Sequence, residues 1–185
     1  MSKGMLIVMS GCSGVGKSTV LSRVMSRRND LRFSVSATTR APRPGEIDGE
    51  SYYFVSRETF LDMIEKGEFL EYDAHMDNFY GTPKGQLIEK LEKGSVILDI
   101  EPNGAFAVRK AWPEAVLIFI APPSMEELEH RLRSRGDTSD EQIEKRLARA
   151  KWEMEQSVRY DYVVINEQVE DCADEIVRII AEKAD

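Results

Sequence analysis

The chain has 185 residues, of which 42% are hydrophobic and 31% are charged, and its formal net charge is -8 at pH 7. This composition is typical of a globular protein with one well-buried core, and it argues against a disordered or fibrous chain. The acidic balance argues against a protein that holds nucleic acid on a broad basic face, so any phosphorylated ligand would have to be held by local groups of cations.

The apolar runs of the chain are short, and its cysteines are few. The longest apolar run spans about seven residues, far short of the roughly 20 that a membrane-spanning helix needs, and the first residues lack the apolar segment of a signal peptide. We therefore expect a cytoplasmic protein with neither a membrane nor a nucleic acid as its partner. Cys12 and Cys172 are too few for a disulfide framework. Cys12 is interpreted as a small loop residue and not as a nucleophile.

The first predicted element is a strand over Met5–Met9, and a phosphate-binding loop follows it. The eight residues from Gly11 to Ser18 fit the spacing G-x-x-x-x-G-K-[ST], and a helical pattern begins after them. The glycines let backbone N–H groups converge on phosphate oxygens, Lys17 neutralises the β and γ phosphates, and Ser18 offers a hydroxyl to Mg²⁺. A bare turn would not need the Lys-Ser pair, so we expect a nucleoside triphosphate here. The predicted nucleotide-binding residues are Gly11, Cys12, Ser13, Gly14, Val15, Gly16, Lys17, Ser18 and Thr19.

The segment from Ser34 to Gly94 does not continue this alternation of strand and helix. Two short runs, Ser51–Val55 and Phe69–Tyr72, predict antiparallel strands, and Ser56–Lys66 between them predicts a helix. We interpret the segment as an inserted lobe, which is a natural place for a second substrate.

Two arginines in this lobe form a candidate anion site. Arg40 and Arg43 flank Pro42, and the proline stiffens the backbone between them, which lowers the entropy cost of presenting both guanidinium groups to one phosphate. Further hydroxyl and carboxylate groups follow at Tyr52, Glu71, Tyr80 and Thr82.

The remaining chain alternates between buried strands and amphipathic helices. This alternation predicts an α/β fold, with a parallel sheet flanked by helices and with ligands at the carboxyl ends of the strands. Ser124 and Glu127 form a predicted capping box at the start of one helix. The predicted strands are Val96–Ile100, Val116–Ile120 and Val163–Ile165, and the predicted helices include Met125–Leu132, Ile143–Met154 and Cys172–Ile180.

Several stretches together form a pattern far more specific than the loop alone. They are Ser34–Arg40 with Pro42 and Arg43, Tyr52–Val55, Gly67–Glu71, Tyr80–Thr82, Ile97–Ile100, Phe119–Ser124 and Arg131–Gly136. These stretches resemble the guanylate kinase family over nearly the whole chain.

The resemblance implies one domain with three parts. A P-loop NTPase core would span about 1–33, 95–124 and 158–185, a small mixed or antiparallel GMP-binding lobe about 34–94, and a helical lid about 125–157. It also implies an enzyme of guanine nucleotide salvage and recycling, which transfers the γ-phosphate of ATP, bound with Mg²⁺ as cofactor, to GMP.

The resemblance further implies the residues that bind GMP. A carboxylate facing guanine can accept hydrogen bonds from N1–H and the 2-amino group, whereas adenine would leave it unpaired, a mismatch of order 1 to 3 kcal/mol. Taken singly, the tyrosines would also suit ring packing, the glutamate a solvated strand, and the arginines a basic surface loop. By resemblance, Arg40, Arg43, Tyr52 and Tyr80 bind the phosphate, Ser36, Glu71 and Thr82 bind the guanine, and Asp99 lies near the base and the water shell of Mg²⁺.

Arginines on two successive helices suit a lid over the triphosphate. Arg131 and Arg135 lie four residues apart, and Arg146 and Arg149 lie three apart beyond a polar linker. The resemblance assigns this role to Arg135 and Arg146, with Arg131 as a helper, and Arg149 is expected only to pair with Glu153. No catalytic histidine is needed, because the acceptor phosphate of GMP has a second pKa near 6 and is largely ionised at pH 7. The implied catalytic residues are Lys17, Arg40, Arg135 and Arg146.

One stretch departs from the family pattern. Relatives commonly carry Gln immediately before the glycine that follows Asp99, whereas this chain has Pro102-Asn103-Gly104. We expect Pro102 to begin a helix and Asn103 to retain a hydrogen-bonding role.

Two alternative functions remain at this point. A related kinase could act on a phosphorylated sugar, but such a substrate offers no partner to Glu71 and Thr82. A guanylate-kinase-like module without catalysis could capture phosphorylated peptides, but the intact loop with Lys17 and Ser18 favours turnover. Whether the chain is a monomer or a homo-oligomer stays open.

Overall fold

The computed structural model describes residues 4–75, 77–134 and 139–184. The chain divides into two compact units, the first comprising Met1–Val8 with Asp30–Ala115 and the second Met9–Asn29 with Val116–Asp185. The boundaries of core, lobe and lid given above stay a prediction. In chain order the elements are β1 (Leu6–Gly11), α1 (Lys17–Arg27), β2 (Arg32–Phe33), β3 (Ala37–Thr38), β4 (Tyr53–Phe54), α2 (Arg57–Glu65), β5 (Phe69–His75), β6 (Asn78–Pro83), α3 (Lys84–Leu91), β7 (Val96–Asp99), α4 (Pro102–Ala111), β8 (Val116–Ala121), α5 (Met125–Ser134), α6 (Asp140–Gln156), β9 (Tyr162–Ile165) and α7 (Val169–Ala184), with a short 3-10 turn at Ser157–Arg159.

The larger sheet is parallel, and among the described residues it has the strand order β2-β7-β1-β8-β9. β1 and β8 are buried along their whole lengths, as expected for strands covered on both faces. The predicted α/β class with a parallel sheet is therefore confirmed, and β1, β7, β8 and β9 lie where the apolar runs predicted them. β2 was not predicted, because two residues are too few to show a hydrophobic period.

Helices α1 and α7 pack against each other in the second unit. α1 buries Val20, Leu21 and Val24. α7 buries Cys172, Ala173, Ile176, Ile179 and Ile180. This packing buries the apolar stripes that the 3.6-residue period predicted.

The smaller sheet belongs to the first unit and has the order β4-β3-β6-β5. β6 pairs antiparallel with both β3 and β5, but β3 pairs parallel with β4, so the sheet is mixed. The expectation of antiparallel pairing was wrong for β4, because the long connection 39–52 brings the chain back before the strand begins. The core under this sheet is aromatic, with Phe60 stacked on Phe69 and Phe79 at centroid distances of 4.4 and 5.4 Å.

The segment 34–94 also holds one helix more than was expected. The predicted helix appears as α2, and the Ser56 side chain caps it by accepting the Thr59 N–H. α3 follows β6 directly and buries Leu87 and Leu91. The sequence reading missed α3, because it assigned only one helix, Ser56–Lys66, to the segment.

Two predicted helix starts are confirmed. The Ser124 hydroxyl accepts the Glu127 N–H at 3.0 Å at the start of α5. Pro102 occupies the first position of α4, where its missing N–H costs no helical hydrogen bond. Among the helices in the described part of the chain, none is long and apolar enough to cross a membrane.

Candidate functional site

The loop between β1 and α1 requires its glycines. Gly14 and Gly16 have φ angles of 87° and 93°, in the left-handed region that favours glycine. A Cβ atom on Gly14 would also lie 2.6 Å from the Leu132 side chain. The first turn of α1 carries no acidic residue, so the positive end of this helix can receive an anion.

Lys17, Ser18 and Thr19 form the first turn of α1, which the loop positions. Lys17 is half-buried, and Ser18 and Thr19 are exposed. Loops of this spacing bind a triphosphate with such backbone N–H groups, an ammonium and a hydroxyl.

Cys12 is a buried thiol inside this loop. Burial, with a further contribution from the negative charge of Glu153, raises its pKa to about 12. The thiol therefore stays protonated and unreactive near neutral pH, as its interpretation as a small loop residue requires.

Two buried side chains from elsewhere in the second unit hold the loop. Asn166 donates its Nδ2–H to the Val15 carbonyl at 2.8 Å, and Glu153 accepts the Ser13 N–H at 2.9 Å. Glu153 and Asn166 are each only 2% exposed. Our sequence reading missed both contacts, although Asn166 follows β9 at the strand end where such folds bind ligands.

The lid arginines differ in their surroundings. Arg131 donates from Nε to Glu127 at 2.8 Å and from a terminal nitrogen to the Asn166 carbonyl at 2.9 Å. Arg146 is exposed on α6. Arg149 pairs with Glu153 at 3.0 Å, which confirms the predicted pair. Arg135 lies outside the described residues.

The predicted phosphate-binding residues of the first unit form a compact group around Arg40. The Arg40 guanidinium lies 5.3 Å from the centre of the Tyr52 ring, and the Tyr52 and Tyr80 rings meet edge to face at 6.1 Å. The hydrogen bonds that Arg40 donates to Glu46, and to a smaller extent the one to Tyr80, raise the pKa of Arg40, so its charge is permanent. Arg43 is exposed beside this group.

Glu46 is a member of this group that the sequence reading missed. Its two carboxylate oxygens each accept a guanidinium nitrogen of Arg40 at 2.9 Å, and Oε2 also accepts the Arg43 N–H at 2.7 Å. These bonds lower the pKa of Glu46 to about 2, and the bond with Arg40 makes the largest contribution. A bidentate pair holds the Arg40 fork in one orientation, and the only sequence signal for it was the short spacing between the residues.

The predicted guanine-binding residues Glu71 and Thr82 lie side by side. Glu71 is 6% exposed and Thr82 is fully buried, and the Thr82 hydroxyl donates to Glu71 Oε1 at 2.6 Å. Burial raises the pKa of Glu71 to about 7, and the negative charge of Asp73 also raises it. The hydrogen bond from Thr82 lowers the pKa but does not offset these two effects. Ser36 lies immediately before β3 and Asp99 ends β7, and both are half-buried.

Helix α4 closes over the Glu71 carboxylate. A Cβ atom on Gly104 would lie 2.7 Å from Glu71 Oε2, so a larger residue would displace the carboxylate. The preceding residue, Asn103, donates to Asp73 Oδ2 at 3.1 Å. Asn103 therefore has the hydrogen-bonding role expected of it, although the stretch Pro102-Asn103-Gly104 departs from the family pattern.

The candidate magnesium ligands offer oxygen only. Within the described residues, no three His, Cys, Asp or Glu side chains come together as a metal cluster. Ser18 carries an exposed hydroxyl and Asp99 a half-buried carboxylate. Hydroxyl and carboxylate oxygens fit Mg²⁺, which commonly binds through a few such groups together with substrate phosphates.

Comparisons with known proteins agree with one another. The family model described as guanylate kinase matches residues 3–183. A guanylate kinase from Clostridioides difficile is 49% identical over 97% of this chain and 88% of its own length, and one from Trichodesmium erythraeum is 49% identical over 97% of both chains. A crystal structure of guanylate kinase from Anaplasma phagocytophilum superposes with a TM-score of 0.81 at 38% identity, covering 100% of this chain and 88% of that one.

Proposed function

The chain belongs to the guanylate kinase family, and we propose that the residues described above divide its reaction between an acceptor site and a donor site. The chain is an ATP:GMP phosphotransferase, which converts ATP and GMP into ADP and GDP. The buried pair of Glu71 and Thr82 is the observation that carries the choice of guanine as the accepted base.

Glu71 and Thr82 suit guanine by chemistry as well as by position. The ionised Glu71 carboxylate accepts from N1–H and the 2-amino group, and the Thr82 and Ser36 hydroxyls serve the other polar atoms of the base. Burial makes this recognition selective, because a base without these donors leaves the charged carboxylate unpaired.

Arg40, Arg43, Tyr52 and Tyr80 hold the GMP phosphate in this proposal. Arg40 supplies a permanent charge in an orientation fixed by Glu46, and the Tyr52 ring supports the guanidinium. A pre-oriented arginine loses less entropy when it binds phosphate than a freely rotating one.

The loop and α1 hold the donor. Backbone N–H groups and Lys17 bind the ATP phosphates, and Ser18 in α1 and Asp99 at the end of β7 would each offer oxygen to magnesium. Bound to the triphosphate, magnesium supplies positive charge that offsets the charge of the moving phosphoryl group. Arg131 and Arg146 add cationic charge, and the assignment of Arg135 stays a prediction.

No protein base is required, because the acceptor oxygen of GMP is largely ionised at pH 7. The site therefore works through positioning and electrostatic stabilisation. A sugar-phosphate substrate would leave Glu71 and Thr82 without a ligand. The cytoplasmic location and the absence of nucleic acid and membrane partners also stay predictions.

A coupled assay of ADP formation tests the proposal. The purified chain should phosphorylate GMP and discriminate strongly against AMP and UMP. Glu71→Gln should reduce the preference for GMP over AMP roughly 10- to 100-fold, because a neutral amide no longer matches two donors. Equal rates with AMP and GMP in the wild-type chain would refute the assignment of Glu71.

A further inference from the structure

Glu153 is a buried carboxylate that the reaction described above does not use. It lies on α6 and is 2% exposed. One carboxylate oxygen accepts the Ser13 backbone N–H at 2.9 Å, and the other accepts Arg149 Nε at 3.0 Å. A buried charge is unfavourable unless it is paired and hydrogen-bonded, and the bonds to Ser13 and Arg149 meet that condition.

The bond to Ser13 is part of a larger contact between the loop and the two helices. Cys12 donates its thiol hydrogen to the Ala150 carbonyl of α6 at 3.6 Å. The Cα of Gly14 faces α5 so closely that a Cβ atom would lie 2.6 Å from Leu132. The first half of the loop therefore rests on α5 and α6, and the bond from the Ser13 N–H to Glu153 places a charge beside it.

Helix geometry links this contact to Arg146. Residues seven positions apart lie on the same face of a helix, so Arg146 and Glu153 share a face of α6. At 1.5 Å per residue they are separated by about 10 Å along the axis. A bond that fixes Glu153 on the loop therefore also fixes how far Arg146 lies from it.

We propose that Glu153 is a positioning residue for ATP, which acts by holding the Ser13 amide in the conformation that binds phosphate. The same bond anchors α6 and with it Arg146. Arg149 keeps the carboxylate aimed at the loop. This inference rests on the proposed function, because it takes the loop as the ATP site.

Two substitutions of Glu153 distinguish the effect of side-chain length from the effect of charge. Glu153→Asp keeps the charge but withdraws the carboxylate by about 1.5 Å, which removes the bond to Ser13. Glu153→Gln keeps the length and an oxygen that can accept the Ser13 N–H, but it loses the charge. Glu155→Gln is the matched control, because Glu155 is exposed on the same helix.

The measurement is steady-state kinetics with each substrate varied in turn. Glu153→Asp should raise the KM for ATP about tenfold, the effect of one lost hydrogen bond to a charged group, while the KM for GMP stays unchanged. Glu153→Gln should raise the KM for ATP less than Glu153→Asp does, and Glu155→Gln should have no effect. Binding of ADP, measured by calorimetry, should weaken in the same order.

The proposal is overturned if folded Glu153→Asp retains the wild-type KM for ATP, or if both substrates are affected equally, as in a general loss of structure. If Glu153→Asp does not fold, unchanged ADP binding in Glu153→Gln overturns the proposal and weakened binding supports it. The wild-type chain separates the two hypotheses. If it makes no GDP from ATP and GMP, the proposed function itself is wrong, whereas normal wild-type activity with unaffected variants refutes only the role of Glu153.

Discussion

The buried carboxylate of Glu71 should lower the stability of the folded protein, although the same carboxylate enables the recognition of guanine. Its pKa is raised from 4.5 to about 7, mainly by burial. A shift of this size corresponds to about 3 kcal/mol between the protonated and ionised forms. Glu71→Gln removes this ionisable group but retains an oxygen that can accept the hydrogen bond from the Thr82 hydroxyl.

The sign of the effect follows from proton binding. The native state binds the Glu71 proton more tightly than the unfolded state, so stability falls as pH rises from about 4.5 to about 7. Below this range both states are protonated and the penalty disappears. Glu71→Gln should therefore match the wild-type chain near pH 4.5 and exceed its stability by about 3 kcal/mol at pH 8.

Thermal unfolding without ligand at a series of pH values measures this difference. For a chain of this size the melting temperature should rise by about 2 to 4 °C per kcal/mol, so the gain of Glu71→Gln at pH 8 is several degrees. Glu68→Gln is the control, since Glu68 is exposed beside the same strand. Parallel melting profiles for Glu71→Gln and wild type from pH 5 to pH 8 would refute the reasoning.

The same carboxylate should make GMP binding depend on pH. With a pKa of about 7, the wild-type KM for GMP should be about tenfold higher at pH 6 than at pH 8, because the proton must leave before guanine binds. Ionisation of the GMP phosphate itself contributes only about twofold over this range. For Glu71→Gln, the KM for GMP should change only by this roughly twofold contribution of the GMP phosphate.

Three further predictions concern the loop and the phosphate site. Lys17→Ala should lower kcat/KM at least about 100-fold with an unchanged melting temperature, and substantial turnover in the coupled assay would contradict its role. Gly14→Ala should destabilise the chain to urea by roughly 1 to 3 kcal/mol more than Gly45→Ala, because both glycines have positive φ but only Gly14 faces a side chain. Tyr52→Phe should raise the KM for GMP several-fold at unchanged stability, and an unaltered KM would exclude its hydroxyl from phosphate binding.

Local patterns predicted much of this fold. The loop from Gly11 to Ser18 could be predicted, because its backbone conformation depends on glycines at given spacings. The strands β1 and β8 and the helix start at Ser124 could likewise be predicted, because apolar runs and caps are properties of neighbouring residues. The family pattern then indicated which lobe side chains are candidates for binding GMP.

Contacts between distant residues required the tertiary structure. Nothing local indicates that β3 pairs parallel with β4 or that α4 closes over Glu71. Ser13 and Glu153 are separated by 140 residues, and their bond exists only because packing brings α6 to the loop. The sequence by itself determined most of the elements, though not β2 or α3, and which chemistry is present, since these depend on neighbouring residues. Only the tertiary structure decided which side chains are buried and which partners they meet, because burial and pairing depend on how the whole chain packs.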